Sequence, residues 1–335
     1  MPRSHCIRLT RRKILASGTS AFLSVVLADG FEGVASQTWE YPVTIEHRHG
    51  RTTIVEVPKR IVTLGWGGED AVLALGRLPV GMPEYSSFSN GIFPWNEPLL
   101  QGVMPTFLGG ETDYEAIAAL RPDIILCVRS GVDRVSFEPL SNIAPTIPFK
   151  SAPWTAGWEE VTEMTGLALG LGRRAKELIS ETQGLLLRVG AQYPVLAGKT
   201  VAFGSYATGG DSVSIYMPTD TRVATLTRLG LDLAPVVKRL AATAPDSWAK
   251  GISLERPEDI DADILVMWLA PQARAAAEQN LLFNRIPAVR RGSCVVLDYP
   301  GEAWGVTAPS VLSIPYVFPA FVKRLAEAAM TAGMD

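Results

Sequence analysis

Residues 115–128 read EAIAALRPDIILCV, and residues 255–268, at an offset of 140, read ERPEDIDADILVMW. Each copy begins with an acidic residue, and Asp123 or Asp263 immediately precedes a run of apolar residues. Continuous apolar runs of this kind are typical of strands that are buried on both faces of a parallel sheet. Each copy therefore predicts one buried strand of an α/β unit.

A second pair of similar segments supports an internal repeat. Residues 60–65, RIVTLG, resemble residues 199–204, KTVAFG, which lie 139 positions later. Two matches in the same order at nearly one offset indicate that one structural unit is used twice. Between the copies, apolar residues recur at helical spacing, which predicts a long helix from about Arg173 to Gln192. We therefore expect an α/β fold with two similar α/β lobes, joined by a long backbone helix, and a ligand cleft between them.

The N-terminus has the features of an export signal. Arg11 and Arg12 precede a mostly apolar stretch from Ile14 to Ala28, and small residues follow near Ala35. This pattern resembles a twin-arginine signal peptide, which implies a periplasmic product, whereas the alternative is a basic arm followed by an ordinary helix. The predicted segments are a signal peptide (1–36), an N-terminal α/β lobe (37–157), a linking helical segment (158–193) and a C-terminal α/β lobe (194–335).

Composition excludes several classes of protein. The chain has 335 residues, of which 19% are charged, and its net charge is −3. A nucleic-acid-binding domain usually carries a strongly basic face, so no nucleic-acid partner is expected. Only three His and three Cys occur, which argues against a metal site built from these residues. The G-x-S-x-G motif of a nucleophile elbow is also missing, so we do not expect an enzyme.

Motifs along the whole chain resemble those of one family. In the first half they are PKRIVTLGW (58–66), AVLALGRLPVG (71–81), YEAIAALRPDII (114–125) and LSNIAPT (140–146). In the second half they are DTR (220–222), SLE (253–255), DADILV (261–266) and SVLSIP (310–315). The chain is similar to class III substrate-binding proteins of ABC importers, of the ferric-siderophore and cobalamin type. This resemblance implies a bilobed monomer that captures an iron chelate in the periplasm and delivers it to an inner-membrane permease.

Candidate ligand contacts follow the predicted strands. Trp66 follows the first strand between glycines, and Arg129 and Ser130 follow the strand at 124–128, where a guanidinium suits an anionic ligand. Trp268 ends the matching strand of the second lobe. The alternatives are core aromatic rings and a solvated surface arginine.

The resemblance adds further cleft residues. It implies that a loop with Tyr216 and Arg222 and a loop with Trp304 face the cleft, and Trp95 is a weaker candidate. An aromatic set gives a large contact area with few rotamers to freeze. Arg222 has the alternative interpretation of a first-turn surface residue behind an Asp220 N-cap.

Glu115 and Glu255 occupy matching positions in the two copies. The resemblance implies that such acids dock onto arginines of the permease. The alternative is helix capping, with Glu115 in a capping box with Thr112 and Glu255 in the first turn after a Ser253 cap.

The candidate arginines favour an anionic ferric siderophore of the carboxylate or citrate type. Iron is expected to bind only as its chelate, with no cofactor and no direct metal ligands, because His47 and His49 fall in a predicted hairpin (41–57) away from the cleft. Haem or cobalamin in the same fold is an alternative, since Tyr216 could be an axial haem ligand. Alternatives from other classes are an exported α/β hydrolase-like enzyme and the receiver domain of a sensor.

Overall fold

The computed structural model describes residues 41–110, 112–207, 209–244, 247–269 and 273–333; the predicted signal peptide lies outside them. The first half of the described chain is a hairpin followed by alternating strands and helices. In chain order the elements are β1 (Val43–His47), β2 (Gly50–Ile54), β3 (Ile61–Thr63), α1 (Gly68–Ala74), β4 (Pro79–Pro83), a 3-10 helix (Glu97–Leu100), β5 (Thr106–Leu108), α2 (Tyr114–Ala119), β6 (Ile124–Cys127), α3 (Arg134–Ile143) and β7 (Thr146–Pro148).

A five-stranded parallel sheet organises this N-terminal lobe, residues 41–157. Its strand order is β5-β4-β3-β6-β7. The central strands β3 and β6 are buried along their whole length, which is why their sequences are continuously apolar rather than alternating. The loops that follow the strands meet at the carboxyl edge of the sheet, where α/β proteins bind ligands.

Two helices connect the lobes. They are α4 (Trp158–Ala168) and α5 (Gly172–Ala191), and the second is close to the predicted long helix. Gly170, with a φ of +67°, separates them, because the left-handed backbone at this position ends α4 without a side-chain clash.

The C-terminal lobe, residues 194–333, contains a mixed sheet rather than a copy of the first. Its elements are a 3-10 helix (Pro194–Leu196), β8 (Thr200–Tyr206), β9 (Ser212–Tyr216), α6 (Thr221–Thr227), β10 (Asp232–Leu233), α7 (Pro235–Thr243), β11 (Ala249–Ser253), a 3-10 helix (Pro257–Asp259), β12 (Ile264–Leu269), α8 (Ala273–Gln279), a 3-10 helix (Phe283–Arg285), α9 (Pro287–Arg291), β13 (Cys294–Leu297), α10 (Pro300–Thr307) and α11 (Ser313–Thr331). The strand order is β11-β9-β8-β12-β13, with β10 beside β8; β9 is antiparallel to both of its neighbours.

The predicted repeat corresponds to the central strand pair of each lobe. Ile61 of β3 lies opposite Ile124 of β6, and Val201 of β8 lies opposite Ile264 of β12, both in parallel pairs. The repeated aspartates tie these pairs together. The backbone amide of Arg60 donates to the Asp123 carboxylate at 2.8 Å. In the second lobe, the amide of Thr200 donates to Asp263 at 2.8 Å.

One apolar cluster spans the two lobes. Phe93 and Trp95 of the N-terminal lobe belong to the same buried cluster as Val317 and Phe318 of α11. The Trp95 ring also lies 5.8 Å from the ring of Tyr316. Within the described ranges, no helix combines the length and apolar character that a bilayer span requires.

Candidate ligand-binding cleft

A cavity of about 530 Å³ lies at the carboxyl edge of the N-terminal sheet and reaches α10 of the other lobe. Its walls are loops after the five parallel strands, the loop after β7 contributing Trp154, together with Trp304 of α10. The volume is within the range of small-molecule sites. The cavity is therefore the candidate ligand site.

Trp66 stands on this wall because two loops approach each other closely. Its amide donates to the carbonyl of Arg129 at 3.0 Å. Gly65 has a φ of +91°, and a Cβ there would lie 2.1 Å from the Arg129 carbonyl oxygen. Only glycine fits this position, so Trp66 is held at the cavity with its ring half-buried.

Three indole rings from separate segments form the aromatic side of the cavity. The ring of Trp66 lies 5.2 Å from that of Trp154 and 5.3 Å from that of Trp304. Trp304 lies on α10 rather than in the loop that was predicted, and its Nε1 donates to the Ser87 hydroxyl at 3.3 Å. Aromatic pairs at these distances are typical of favourable ring packing.

Trp154 was missed by the sequence analysis. Its backbone has a φ of +64°, and its amide donates to the carbonyl of Ser130 at 2.9 Å. The ring covers Gly131, where a Cβ would lie 2.5 Å from the indole Nε1. Trp154 lies in the loop after β7, a strand that the sequence analysis did not predict, so the position after a strand end that singled out Trp66 was not recognised for Trp154.

Arg129 lies behind the cavity wall rather than on it. Its side chain is buried, and Nη2 donates to the carbonyl of Thr307 at 3.0 Å. Among the described residues, its Nε has no hydrogen-bond partner. Burial, and then the neighbouring Arg222, lower the pKa of Arg129 to about 10. Ser130 does line the cavity, and its hydroxyl donates to the carbonyl of Cys127 at 2.7 Å.

Arg222 and Tyr216 form a buried stack in the C-terminal lobe. The guanidinium pairs bidentately with Asp220, at 2.7 Å and 2.6 Å, and lies 3.6 Å from the centre of the Tyr216 ring. Arg222 is in the first turn of α6, but it is buried rather than a surface residue. The Tyr216 hydroxyl and that of Ser205 are 3.0 Å apart. Neither predicted contact is among the described residues that line the cavity.

Trp95 and Trp268 both pack with the apolar cluster that spans the lobes. The indole Nε1 of Trp95 donates to Asp70 at 2.8 Å, and its ring lies 4.7 Å from that of Phe93. Trp268 is partly buried against the apolar cluster that spans the lobes. As far as the structure describes the chain, the cavity is not lined by either ring.

A buried acidic pair was also missed. Glu69 and Asp70, in the first turn of α1, are fully buried. Asp70 accepts hydrogen bonds from Trp95, from Asn96 at 2.7 Å and from Ser310 at 2.5 Å. Burial raises the pKa of Asp70 to about 6, and burial together with the Asp70 charge raises the pKa of Glu69 to about 8.

The acids predicted to dock are both exposed, but the predicted caps are wrong. The N-cap of α2 is Asp113, which accepts from the amide of Ala116 at 2.9 Å, rather than Thr112. Ser253 ends a strand and accepts from the amide of Glu255 at 3.2 Å within a turn, so no α-helix begins there. Both Glu115 and Glu255 are exposed to solvent.

One of the two hairpin histidines, His49, lies closer to the cavity than predicted. His49 Nε2 donates to the carbonyl of Val132 at 2.9 Å, and Val132 lines the cavity. The hairpin therefore supports this loop from behind. In the ranges that the structure covers, no group of three or more His, Cys, Asp or Glu side chains could hold a metal ion.

Comparison with known proteins identifies the family. A family model described as periplasmic binding protein matches residues 61–300. The Fe(3+)-citrate-binding protein YfmC of Bacillus subtilis is 25% identical over 276 residues, which cover 78% of this chain and 79% of YfmC. The probable siderophore-binding lipoprotein YfiY of Bacillus subtilis is 28% identical over 268 residues, 76% of this chain and 80% of YfiY.

Solved structures show the same similarity. PiaA from Streptococcus pneumoniae TIGR4, in complex with ferrichrome, superposes with a TM-score of 0.77 at 29% identity, covering 86% of this chain and 99% of PiaA. The family match extends over most of the two lobes described above and includes the loops after β3 and β6 that form the cavity wall. The chain therefore belongs to the periplasmic binding protein family.

Proposed function

We propose that this protein is the extracytoplasmic substrate-binding component of an ABC importer and that it captures a ferric siderophore for iron uptake. The observation that carries the proposal is the cavity with three indole rings between two α/β lobes, in a chain of this family. Iron enters as cargo inside its chelator. The protein then contributes shape and aromatic contact rather than ligands to the metal.

The names of the relatives support a ferric chelate. YfmC is named for Fe(3+)-citrate, YfiY for a siderophore, and PiaA was solved with ferrichrome. Bulky chelates of this kind bury large surfaces on binding, and aromatic rings provide such surface at low conformational cost. The proposal also includes export of the protein by the twin-arginine route and its action as a monomer in the periplasm. There it releases the captured chelate to a permease.

The charge of the chelate depends on Arg129. The sequence predicts a carboxylate or citrate chelate, and the name of YfmC supports it. Such a chelate would bind the Arg129 guanidinium if the guanidinium gave up its hydrogen bond to the Thr307 carbonyl and bonded to the ligand instead. A neutral hydroxamate such as ferrichrome is the second candidate. The charged side chains on the described cavity wall are Glu84 and Asp113, and because both are acidic they favour a neutral ligand over an anionic one. Arg129→Ala separates the two. A loss confined to anionic chelates supports the first, and equal losses for neutral and anionic chelates contradict it.

Haem is a weaker ligand candidate. The tyrosine proposed as its axial ligand, Tyr216, is buried and directed at Ser205 rather than at the cavity. Cobalamin stays in the test panel as a ligand of the same fold.

Permease docking is proposed for Glu115 and Glu255. Both side chains are exposed, one in each lobe, and no ion pair within 4.0 Å is found for either of them among the described residues. Exposed carboxylates of this kind can form charge-assisted pairs with arginines of a partner.

The deciding experiment is a titration of the purified protein followed by tryptophan fluorescence. The ligands are ferric citrate, a ferric hydroxamate, a ferric catecholate, haem, cobalamin and each iron-free chelator. Saturable quenching by one ferric chelate at micromolar or lower concentration supports capture and identifies the ligand class. No response to any ferric chelate, or turnover of one, would contradict the proposed function.

A further inference from the structure

The buried acid Asp70 connects the two lobes. It lies on α1 in the N-terminal lobe, and two of its three hydrogen-bond donors, Trp95 and Asn96, belong to that lobe. The third is the hydroxyl of Ser310, between α10 and α11 of the C-terminal lobe, at 2.5 Å. All three groups donate, so the acceptor-only, ionised form of Asp70 satisfies every bond.

Ser310 transmits this contact to a long helix. Its hydroxyl oxygen accepts from the amide of Leu312, the residue before α11, at 3.1 Å, and from that of Ser313, the first residue of α11, at 2.9 Å. The Ser313 hydroxyl in turn donates to the carbonyl of Gly305 in α10 at 3.1 Å. Asp70 is therefore linked through Ser310 to the start of α11 and, through Ser313, to the last turn of α10.

A second buried bond crosses between the lobes nearby. Arg129 donates to the carbonyl of Thr307, the last residue of α10. Trp304 lies on this same helix, and Trp66 lies just before α1, which carries Asp70. These two rings pack against each other on the aromatic side of the cavity, with centres 5.3 Å apart, and each is thus attached to one side of this buried junction.

We propose that Asp70 is a positioning residue for ligand capture: through Ser310 it fixes the relative position of the lobes and so the spacing of Trp66 and Trp304. The apolar cluster between the lobes supplies non-directional attraction, whereas buried hydrogen bonds fix one arrangement among several of similar contact area. The effect on affinity rests on the proposed function, while the effect on lobe position does not.

Two variants test the junction at different severity. Ser310→Ala removes the bond between the lobes and the two bonds from the amides at the start of α11, and leaves Trp95 and Asn96 bonded to Asp70. Asp70→Asn turns one acceptor into a donor that faces other donors. The matched control is Asp123→Asn, which weakens a carboxylate that joins two strands of one lobe. Ser310→Thr keeps the hydroxyl and is the conservative rescue.

Lobe position is measured without ligand, by electron-spin distance measurements between labels at Val135→Cys and Leu281→Cys. Both native side chains are exposed, and they lie in different lobes. Cys6 and Cys294 are replaced by Ala in this background. We expect one narrow distance distribution in the parent protein, Asp123→Asn and Ser310→Thr, and a broader or shifted distribution in Ser310→Ala and Asp70→Asn.

Affinity is then measured with the ferric chelate that the parent protein binds most tightly. We expect Ser310→Ala to raise the Kd about tenfold, as the loss of one hydrogen bond to a charged group would, and to speed dissociation. An unchanged distance distribution in Ser310→Ala overturns the proposal. Failure of the parent protein to bind any ferric chelate instead overturns the proposed function and leaves the distance measurement as the test of the junction.

Discussion

The carboxyl group of Glu69 should make folding stability depend on pH in a direction opposite to that of most acids. Its side chain is fully buried, beside the charged Asp70. Burial and then this neighbour raise its pKa from 4.5 to about 8, although hydrogen bonding with its own backbone and with Tyr85 acts in the opposite direction. The native protein therefore keeps a proton on Glu69 at pH 7, and the unfolded chain releases it.

The sign and size of the effect follow from this difference. Stability from Glu69 is fully present below pH 4.5 and is lost as the pH rises toward 8. The slope is about 1.4 kcal/mol per pH unit, so roughly 3 kcal/mol is lost between about pH 5.5 and 7.5. Glu69→Gln removes the titrating group but keeps its shape, and Asp70 titrates in both proteins.

Urea unfolding at several pH values between these limits is the assay. The free energy of unfolding of Glu69→Gln should fall less steeply with pH than that of the parent protein, by about 3 kcal/mol over about two pH units. Glu56→Gln, an exposed acid, is the control and should follow the parent curve. Parallel curves for the parent protein and Glu69→Gln would refute the assignment of a protonated Glu69.

Three further outcomes are expected. In urea unfolding, Gly65→Ala should destabilise the protein by at least about 2 kcal/mol more than Gly198→Ala. Both glycines have a positive φ, but only Gly65 lies against a carbonyl oxygen, so equal losses of unfolding free energy would contradict the close approach of the two loops. Trp154→Ala should raise the Kd for the chelate about tenfold in a fluorescence titration. Trp248 lies outside the described cavity wall, so Trp248→Ala should raise the Kd less than about twofold, and equal changes in the two variants would exclude a special role for Trp154. Glu115→Lys combined with Glu255→Lys should abolish uptake of labelled chelate by cells while the Kd of the purified protein stays unchanged, and normal uptake would contradict docking.

Features set by local sequence could be predicted. The central strands appear as apolar runs because both of their faces are buried, so Ile124–Cys127 and Ile264–Leu269 were located from the sequence. Trp66 was predicted at the cleft because it follows the first strand, between glycines that let the backbone pass closely.

Features that depend on distant partners could not be predicted. Glu69 and Asp70 resemble ordinary first-turn acids, and their burial depends on residues such as Ser310, which is 240 positions away. Arg129 was expected at the surface of the cleft, but it meets the Thr307 carbonyl 178 positions later. The antiparallel β9 and β11 were not anticipated, because the repeat covers only the strands that the two lobes share.

The two repeated aspartates also bear on the order of folding. Each closes a loop of the same length, since Arg60 and Asp123 are 63 positions apart, and so are Thr200 and Asp263. The chain entropy lost in closing a loop depends mainly on its length, so the first parallel strand pair costs nearly the same in either lobe. Neither lobe then has a topological advantage in nucleating first, and the side chains that pack around each pair decide which half of the molecule folds earlier.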